Sequence, residues 1–463
     1  MHPGDVRTLG RTCRCATLSY RIYCRSHKDF GLGGIQLVNI RINNPSPPRL
    51  LNINNYFYRR GGAEAVFLDH SALFEDAGWD VVPFAMQHEN NLPSPWASHF
   101  VSKIEYGADI GGMTKLLQAS KVIYSFEARA KLKALVEAAR PTIAHAHNVY
   151  HHLSPAIFST LKEAHVPIVM TAHDLKIACP SYKMLRQGKV CEKCRGGRIH
   201  NVVLNRCVKG SLSLSAVVFT ETLVHRMMGL YRNNLDRIVA PSRFYCRKLA
   251  EWGWPEDKLA YVPNFVDLGH FHTNWEEGDY FVFAGRLAPE KGLATLIKAA
   301  AQAKQKLVIA GTGPEENSLR QLASQTGSDV TFSGFVSGNA LHQLIGQSKA
   351  LVLPSEWYEN APISILEAYA LGRPVIGTSI GGIPEMIKDG QTGFTATAAS
   401  VDNLAQALSR MTDLSAAKRR QMGTAGRTWV SSDFSREAYR DRMLEIYRQL
   451  SPGLGRANSM LSV

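Results

Sequence analysis

A chain of 463 residues with 45% apolar residues is too long for one ordinary core and reads as two domains with a cleft between them. Its 53 Lys/Arg against 39 Asp/Glu leave a formal charge of +14, which favours anionic partners such as nucleotides, lipid phosphates or nucleic acid. No apolar run is long enough to span a membrane, although a basic surface can rest on one; eight unevenly clustered cysteines are unlike the disulfide frame of a small secreted domain and favour a reducing, cytoplasmic setting.

In chain order, the first 48 residues stand apart. They carry seven Lys/Arg against Asp5 and Asp29, three cysteines (Cys13, Cys15, Cys24), no amphipathic period, and a closing "NNPSPP". Such a composition suits a transit peptide, but without an apolar core and a cleavage site it reads better as a disordered basic extension, and the fold is expected to begin at Arg49. From there "RLLNINNYF", "DVVPFA", "TIAHAH", "PIVMTAHD", "RIVAPS" and "KLAYVPN" alternate with helical or turn patterns and predict a parallel doubly wound domain over 49–265. The polar, aperiodic "VDLGHFHTNWEEGD" over 266–279 predicts a linker. "YFVFAGRL", "KLVIAG", "DVTFSGF", "ALVLPS", "PVIGTS" and "GFTAT" predict a second such domain over 280–435, its strands apolar enough to be buried on both faces. The amphipathic "SREAYRDRMLEIYRQL" predicts a final helix over 436–450.

Ligands of open parallel sheets sit beyond the carboxyl ends of the strands, so the loops there carry the candidates. In "GRLAPEKG" Arg286 and Lys291 offer two cations to grip a diphosphate, or else are solvated charges. "GGAE" at Gly61 to Glu64 lets backbone N–H groups approach a phosphate, with a helix N-terminus behind them. In "SEWYENAPISILEAYALG" Glu359 lies in a loop, Pro362 suits the first turn of a helix, and Glu367 lies roughly two turns further on. A diphosphate at the positive helix end would then have a carboxylate for hydroxyls on either side of it, the layout of a sugar–diphosphate–ribose; the alternative is an acidic first turn plus one solvated glutamate.

The order "GRLAPEKG", "GTGP", "FSGFV", "PSEWYENAPISILEAYALGRPVIGTSIGGIPEMIKDGQTGF" resembles the C-terminal domain of the retaining glycosyltransferases of family 4, and the resemblance runs from about Arg49 to Tyr447. It implies the GT-B fold, an α/β architecture of two doubly wound Rossmann-like domains facing across a cleft. It also implies that Glu359 holds hydroxyls of the donor sugar, that Glu367 holds the ribose, and that Arg286 and Lys291 clamp the diphosphate. Asn360, Ala361 and Pro362 occupy the loop where the family often has Gly-Phe-Gly, and Pro362 supplies no N–H there. In the N-terminal half, "TAHD" would bring His173 to the donor hexose and Gly62 would approach the diphosphate, while the final helix would cross back to the first domain. The reaction this family is commonly assigned needs no side-chain nucleophile, and no D-x-D metal motif is in view, so no catalytic cofactor is expected.

One insert, 175–210, departs from the simplest members. Cys179, Cys191, Cys194 and Cys207 make a C-x11-C-x2-C-x12-C array that suits a structural zinc, with reduced thiols or a disulfide as the alternatives. From Leu175 to Lys209 it holds nine Lys/Arg and one acid, Glu192, and reads as a phosphate-attracting rim beside the acceptor cleft, recruiting a lipid-linked acceptor at an anionic membrane. The expectation is a hexosyltransferase using a UDP- or GDP-sugar and a glycan or lipid-linked acceptor in bacterial polysaccharide synthesis, cytoplasmic and peripheral at the plasma membrane. A nucleotide-sugar epimerase of the same fold is the rival; nucleic-acid binding is less favoured, for want of an RNP-type aromatic strand or finger helix.

Overall fold

The computed structural model describes residues 47–103 and 121–455. The basic extension expected over 1–48 lies, except for Pro47 and Pro48, outside the described residues.

Each of the twelve β-rich runs forms a strand. β1 (Arg49–Ile53), β2 (Asp80–Phe84), β3 (Ile143–Ala146) and β4 (Ile168–Thr171) are followed by a two-stranded hairpin, β5 (Leu185–Arg186) and β6 (Lys189–Val190), and then by β7 (Arg237–Ala240) and β8 (Leu259–Tyr261). The second half supplies β9 (Phe281–Ala284), β10 (Leu307–Ala310), β11 (Val330–Gly334), β12 (Leu351–Leu353), β13 (Val375–Thr378) and β14 (Gly393–Ala396). They assemble into two six-stranded sheets, in the orders β2-β1-β3-β4-β7-β8 and β11-β10-β9-β12-β13-β14. Every pairing in them is parallel. Parallel strands must be joined by crossovers, and the helices of those crossovers cover both faces, which is why β3, β4, β12 and β13 are buried throughout. These are the two Rossmann-like lobes of a GT-B fold.

The stretch 266–279 is held along the second lobe. Arg373 donates to the carbonyls of Asn274 (2.6 Å) and Glu276 (2.9 Å), and Arg419 pairs with Glu277 at 2.5 Å. Ser435 caps the helix Arg436–Leu450, which buries Tyr439, Met443, Ile446 and Tyr447 at the helical spacing of one face. That face packs with Leu50, Phe74, Ile143, Val169 and Val239 of the first lobe, so this helix crosses back to the first lobe.

Beneath the crossing helix, four histidines form a column. His70 is hydrogen-bonded to Tyr439 (2.9 Å) and Tyr447 (3.0 Å); His145 meets Tyr447 (2.6 Å) and Thr171 (2.7 Å). His145 stacks on His147 with ring centres 4.8 Å apart, and His147 lies side by side with His173 in nearly the same plane, ring centres 5.1 Å apart. Burial, with His173 nearby, lowers His70 to about 3; burial lowers His173 to about 4 and holds His145 and His147 well below the ordinary histidine range. The unfolded chain protonates these rings near pH 6.5, as free histidine does, and the folded one only at much lower pH. Between about pH 6.5 and 4 the unfolded state therefore binds more protons, and stability should fall with falling pH by about 1.4 kcal/mol per unit for each such ring. The urea midpoint is expected to drop steeply across that window; a midpoint that stays level would contradict a neutral column.

Candidate functional site

Strand order reverses between β1 and β3 in the first sheet and between β9 and β12 in the second, and a crevice opens at the strand ends at such a switch point. The loops after β9 and β12 carry Arg286, Lys291 and Glu359. Lys291 Nζ lies 2.6 Å from Glu359 Oε1, which also accepts from Ser355 Oγ at 2.7 Å. Glu359 is buried and Lys291 three-quarters so, which makes this a shielded ion pair with a hydroxyl on its carboxylate. Cation and carboxylate, read from sequence as separate diphosphate and sugar contacts, are thus one unit, and an anion brought to Lys291 must share it with Glu359. Gly292 makes the approach possible. Its φ is +69°, and a Cβ there would lie 2.0 Å from the Pro354 carbonyl oxygen. Arg286 is exposed at the end of β9.

Glu367 sits on the helix Ile363–Ala370, whose N-cap is Pro362, one position earlier than the sequence suggested. Burial raises its carboxyl above the ordinary range, with Arg59 pulling it down and Asp69 pushing it up. Both modifiers belong to the first lobe, beside Gly62, and a Cβ on Gly62 would lie 3.8 Å from Ile363 at the start of that helix. The GGAE turn and the N-terminus of the Glu367 helix therefore face each other across the crevice. Between them the loop 359–361 is pinned. Asn360 Nδ2 donates to the Ala172 carbonyl (2.9 Å), its Oδ1 accepts from Ser242 Oγ (3.0 Å), and the Ala361 carbonyl accepts from Asn264 Nδ2 (2.8 Å). Gly382 is required underneath, since a Cβ there would meet Asn360 O at 1.9 Å.

His173 follows β4 and opens onto this loop, Asn360 also reaching its carbonyl at 3.4 Å. Its sequence neighbour Asp174 is not its partner. Asp174 accepts from Tyr150 (3.1 Å) and from the Lys176 backbone (2.8 Å), and burial raises it to about 6. His173 Nε2 is instead 2.8 Å from His147 Nδ1. His147 was not singled out from the sequence; the signal for it is "HAH", two histidines at a spacing that puts both on one face of a strand.

The insert keeps its four cysteines together and departs from expectation in one of its charges. Cys179, Cys191, Cys194 and Cys207 are free thiols that neighbour one another: burial, with Cys179, Cys207 and Cys191 adding to it, pushes Cys194 up to about 12. Among the described residues no three His, Cys, Asp or Glu side chains are grouped as a metal site, and the four thiols lie near one another in their reduced form. The insert is held by other contacts. Lys176 and Glu221 make a buried pair at 2.9 Å, and Lys248 joins Glu192 at 2.8 Å. Lys183 is not a free rim charge. It pairs with Glu290 of the second lobe at 2.8 Å, next to Lys291, and Tyr358 donates to Glu192 at 2.9 Å, next to Glu359. The insert clasps the second lobe beside the ion pair.

Residues 60–270 match the family model Glycosyltransferase Family 4, and residues 269–429 match Glycosyl transferases group 1. Two glycosyltransferase family models thus lie end to end along the chain, one on each lobe of the GT-B fold. It is 35% identical over 235 residues to an uncharacterized glycosyltransferase of Methanocaldococcus jannaschii, covering 46% of this chain and 58% of the relative. It is 31% identical over 176 residues to the alpha-D-kanosaminyltransferase of Streptomyces kanamyceticus (36% and 45%), and 29% identical over 238 residues to a GDP-mannose-dependent alpha-(1-6)-phosphatidylinositol monomannoside mannosyltransferase of Mycobacterium tuberculosis (46% and 62%). The matches thus span about half the length of these curated relatives. Among solved structures, sucrose-phosphate synthase of Thermosynechococcus elongatus superposes with a TM-score of 0.63 at 20% identity, over 88% of this chain and all of that one. Anabaena HepE with UDP-glucose gives 0.61 at 16%, over 87% and 99%.

The clasp rests on partly exposed contacts, each worth about 0.2–1 kcal/mol. Removing both of its cross-lobe members (Lys183→Ala with Glu192→Ala) should increase the radius of gyration in small-angle scattering without loss of helix content. An unchanged scattering curve would show that the insert does not hold the lobes together.

Proposed function

We propose that the protein transfers a hexose, with retention of configuration, from a UDP- or GDP-sugar to a glycan or lipid-linked acceptor in bacterial polysaccharide or glycolipid assembly. The observation that carries this reading is the Lys291–Glu359–Ser355 unit at the switch point of the second sheet, facing His173 of the first lobe, with Glu367 further along the helix from Pro362. Lys291, Arg286 and the helix end would stabilise the departing diphosphate, Glu359 and His173 would hold sugar hydroxyls, and Glu367 would take the ribose. Gly62, Asn360, Ala361 and Pro362 shape the walls between. The acceptor oxygen would attack C1 from the face the diphosphate leaves, a diphosphate oxygen taking the acceptor's proton, so no side chain need form a covalent bond. The relatives' names, a GDP-mannose-dependent mannosyltransferase and colanic acid glycosyltransferases among them, support the donor and acceptor classes.

We assign the protein a cytoplasmic, peripheral position at an anionic membrane. No helix among the described residues is long and apolar enough to cross one. The exposed Lys189, Lys193, Arg198, Arg206 and Lys209 of the insert, with exposed Leu204 and Leu212 in the same stretch of chain, support surface attachment.

Two outcomes test the site. Glu359→Gln should lose most turnover while Glu367→Gln mainly raises the Kd for nucleotide, each lost charge-assisted hydrogen bond costing about 1.5–3 kcal/mol. Near-normal kinetics in both variants would remove the assignment. Turnover should also survive EDTA, because cationic side chains and a helix end serve the diphosphate; a rate restored only by Mg²⁺ would reject that mechanism.

A further inference from the structure

We propose that His147 is a positioning residue that fixes the tautomer of His173, so that His173 presents Nδ1–H to an oxygen of the bound sugar. The inference rests on the site reading above and adds to it which nitrogen acts and what sets it.

One proton lies between His147 Nδ1 and His173 Nε2, which are 2.8 Å apart. His147 is fully buried and its other nitrogen, Nε2, has no hydrogen-bond partner. If the shared proton belonged to His173, a neutral His147 would have to carry its own proton on Nε2, leaving a buried N–H donor unpaired. If it belongs to His147 Nδ1, Nε2 is a bare lone pair. Buried orphan N–H groups are the rarer and costlier defect, so the proton sits on His147. His173 Nε2 then accepts, and a neutral His173 carries its proton on Nδ1, the nitrogen given no protein partner among the described residues.

The neutral state this needs comes from packing. His147 stacks on His145 with 20° between the ring planes, lies nearly coplanar (19°) with the His173 ring it bonds, and is edge-on to Phe67 and His70. His145 is itself fixed through Tyr447 and Thr171. The row of rings thus runs from the crossing helix to the cleft, and a neutral N–H donor at its end suits a sugar hydroxyl, where an imidazolium would compete with Lys291 for phosphate.

The test compares His147→Phe, His147→Asn and His173→Ala with the full-length protein. Long-range ¹⁵N–¹H spectra of histidine-labelled protein should show wild-type His173 protonated on Nδ1. In His147→Phe, which keeps a ring in the stack, that signature should be lost and kcat should fall about tenfold, with donor KM moving less than about threefold. His147→Asn, whose amide restores a donor near the Nδ1 position, should recover most of the rate. A wild-type His173 protonated on Nε2, or a folded His147→Phe with unchanged tautomer and kcat, overturns the inference. If His173→Ala keeps full activity the site reading itself fails, whereas an inactive His173→Ala beside a fully active His147→Phe rejects the positioning role alone.

Discussion

Because every strand in both six-stranded sheets runs parallel to its neighbours, each lobe must return its chain through covering helices and must release its strand-end loops along one edge. That constraint decides where chemistry can be built. Apart from the edge strands β8 and β11, the strand interiors are largely buried, so polar groups gather where the strands end: Asn54 and Asn55 after β1, His147 after β3, His173 after β4, Ser242 after β7, Ser355 and Glu359 after β12. Each has to find a partner at once, since an unpaired buried polar group costs about 1–3 kcal/mol. His147 pairs with His173 and Ser355 with Glu359, Asn54 and Asn55 bond to backbone groups, and Ser242 reaches Asn360 of the other lobe.

Asn360 shows how tightly the two functions are joined. Its amide spans the ends of β4 and β7, while its chain neighbour Glu359 holds Lys291 and Ser355 within the second lobe. Arg243 and Arg247 reach Glu385 in the same zone. None of these contacts buries a large apolar surface; the large cores lie within the lobes, and the crossing helix belongs with the first. An interface made of short polar contacts can be broken and remade at modest cost, which suits a cleft that must admit a bulky donor and then close.

The twelve strands are legible in the sequence because a buried parallel strand must be apolar throughout, a local property. Glu359, Lys291 and Glu367 are legible because their spacing is carried by one loop and one helix. What the sequence hides is pairing at long range. That Lys291 lies on Glu359 needs the turn at Gly292, and that Lys183 lies on Glu290 needs the insert folded over the second lobe, 107 residues away in the chain. The nine-to-one excess of basic residues in the insert therefore reads as a free rim, although Lys176 and Lys183 are spent on specific carboxylates.

The histidine column carries this argument furthest. His70, His145, His147 and His173 come from one helix and the ends of two strands, and they meet only because Tyr439 and Tyr447 arrive from the far end of the chain to satisfy two of them. A buried imidazole is tolerated when it is neutral and hydrogen-bonded, and a neutral imidazole offers one donor and one acceptor, so each ring passes a choice of proton position to the group it bonds. In the bonded pair at the cleft, that choice ends on His173. The crossing helix, whose tyrosines fix the inner rings against which His147 stacks, is thus part of what gives the cleft histidine its form, and the order of elements along the chain, first strand beside last helix, becomes a chemical property of the site.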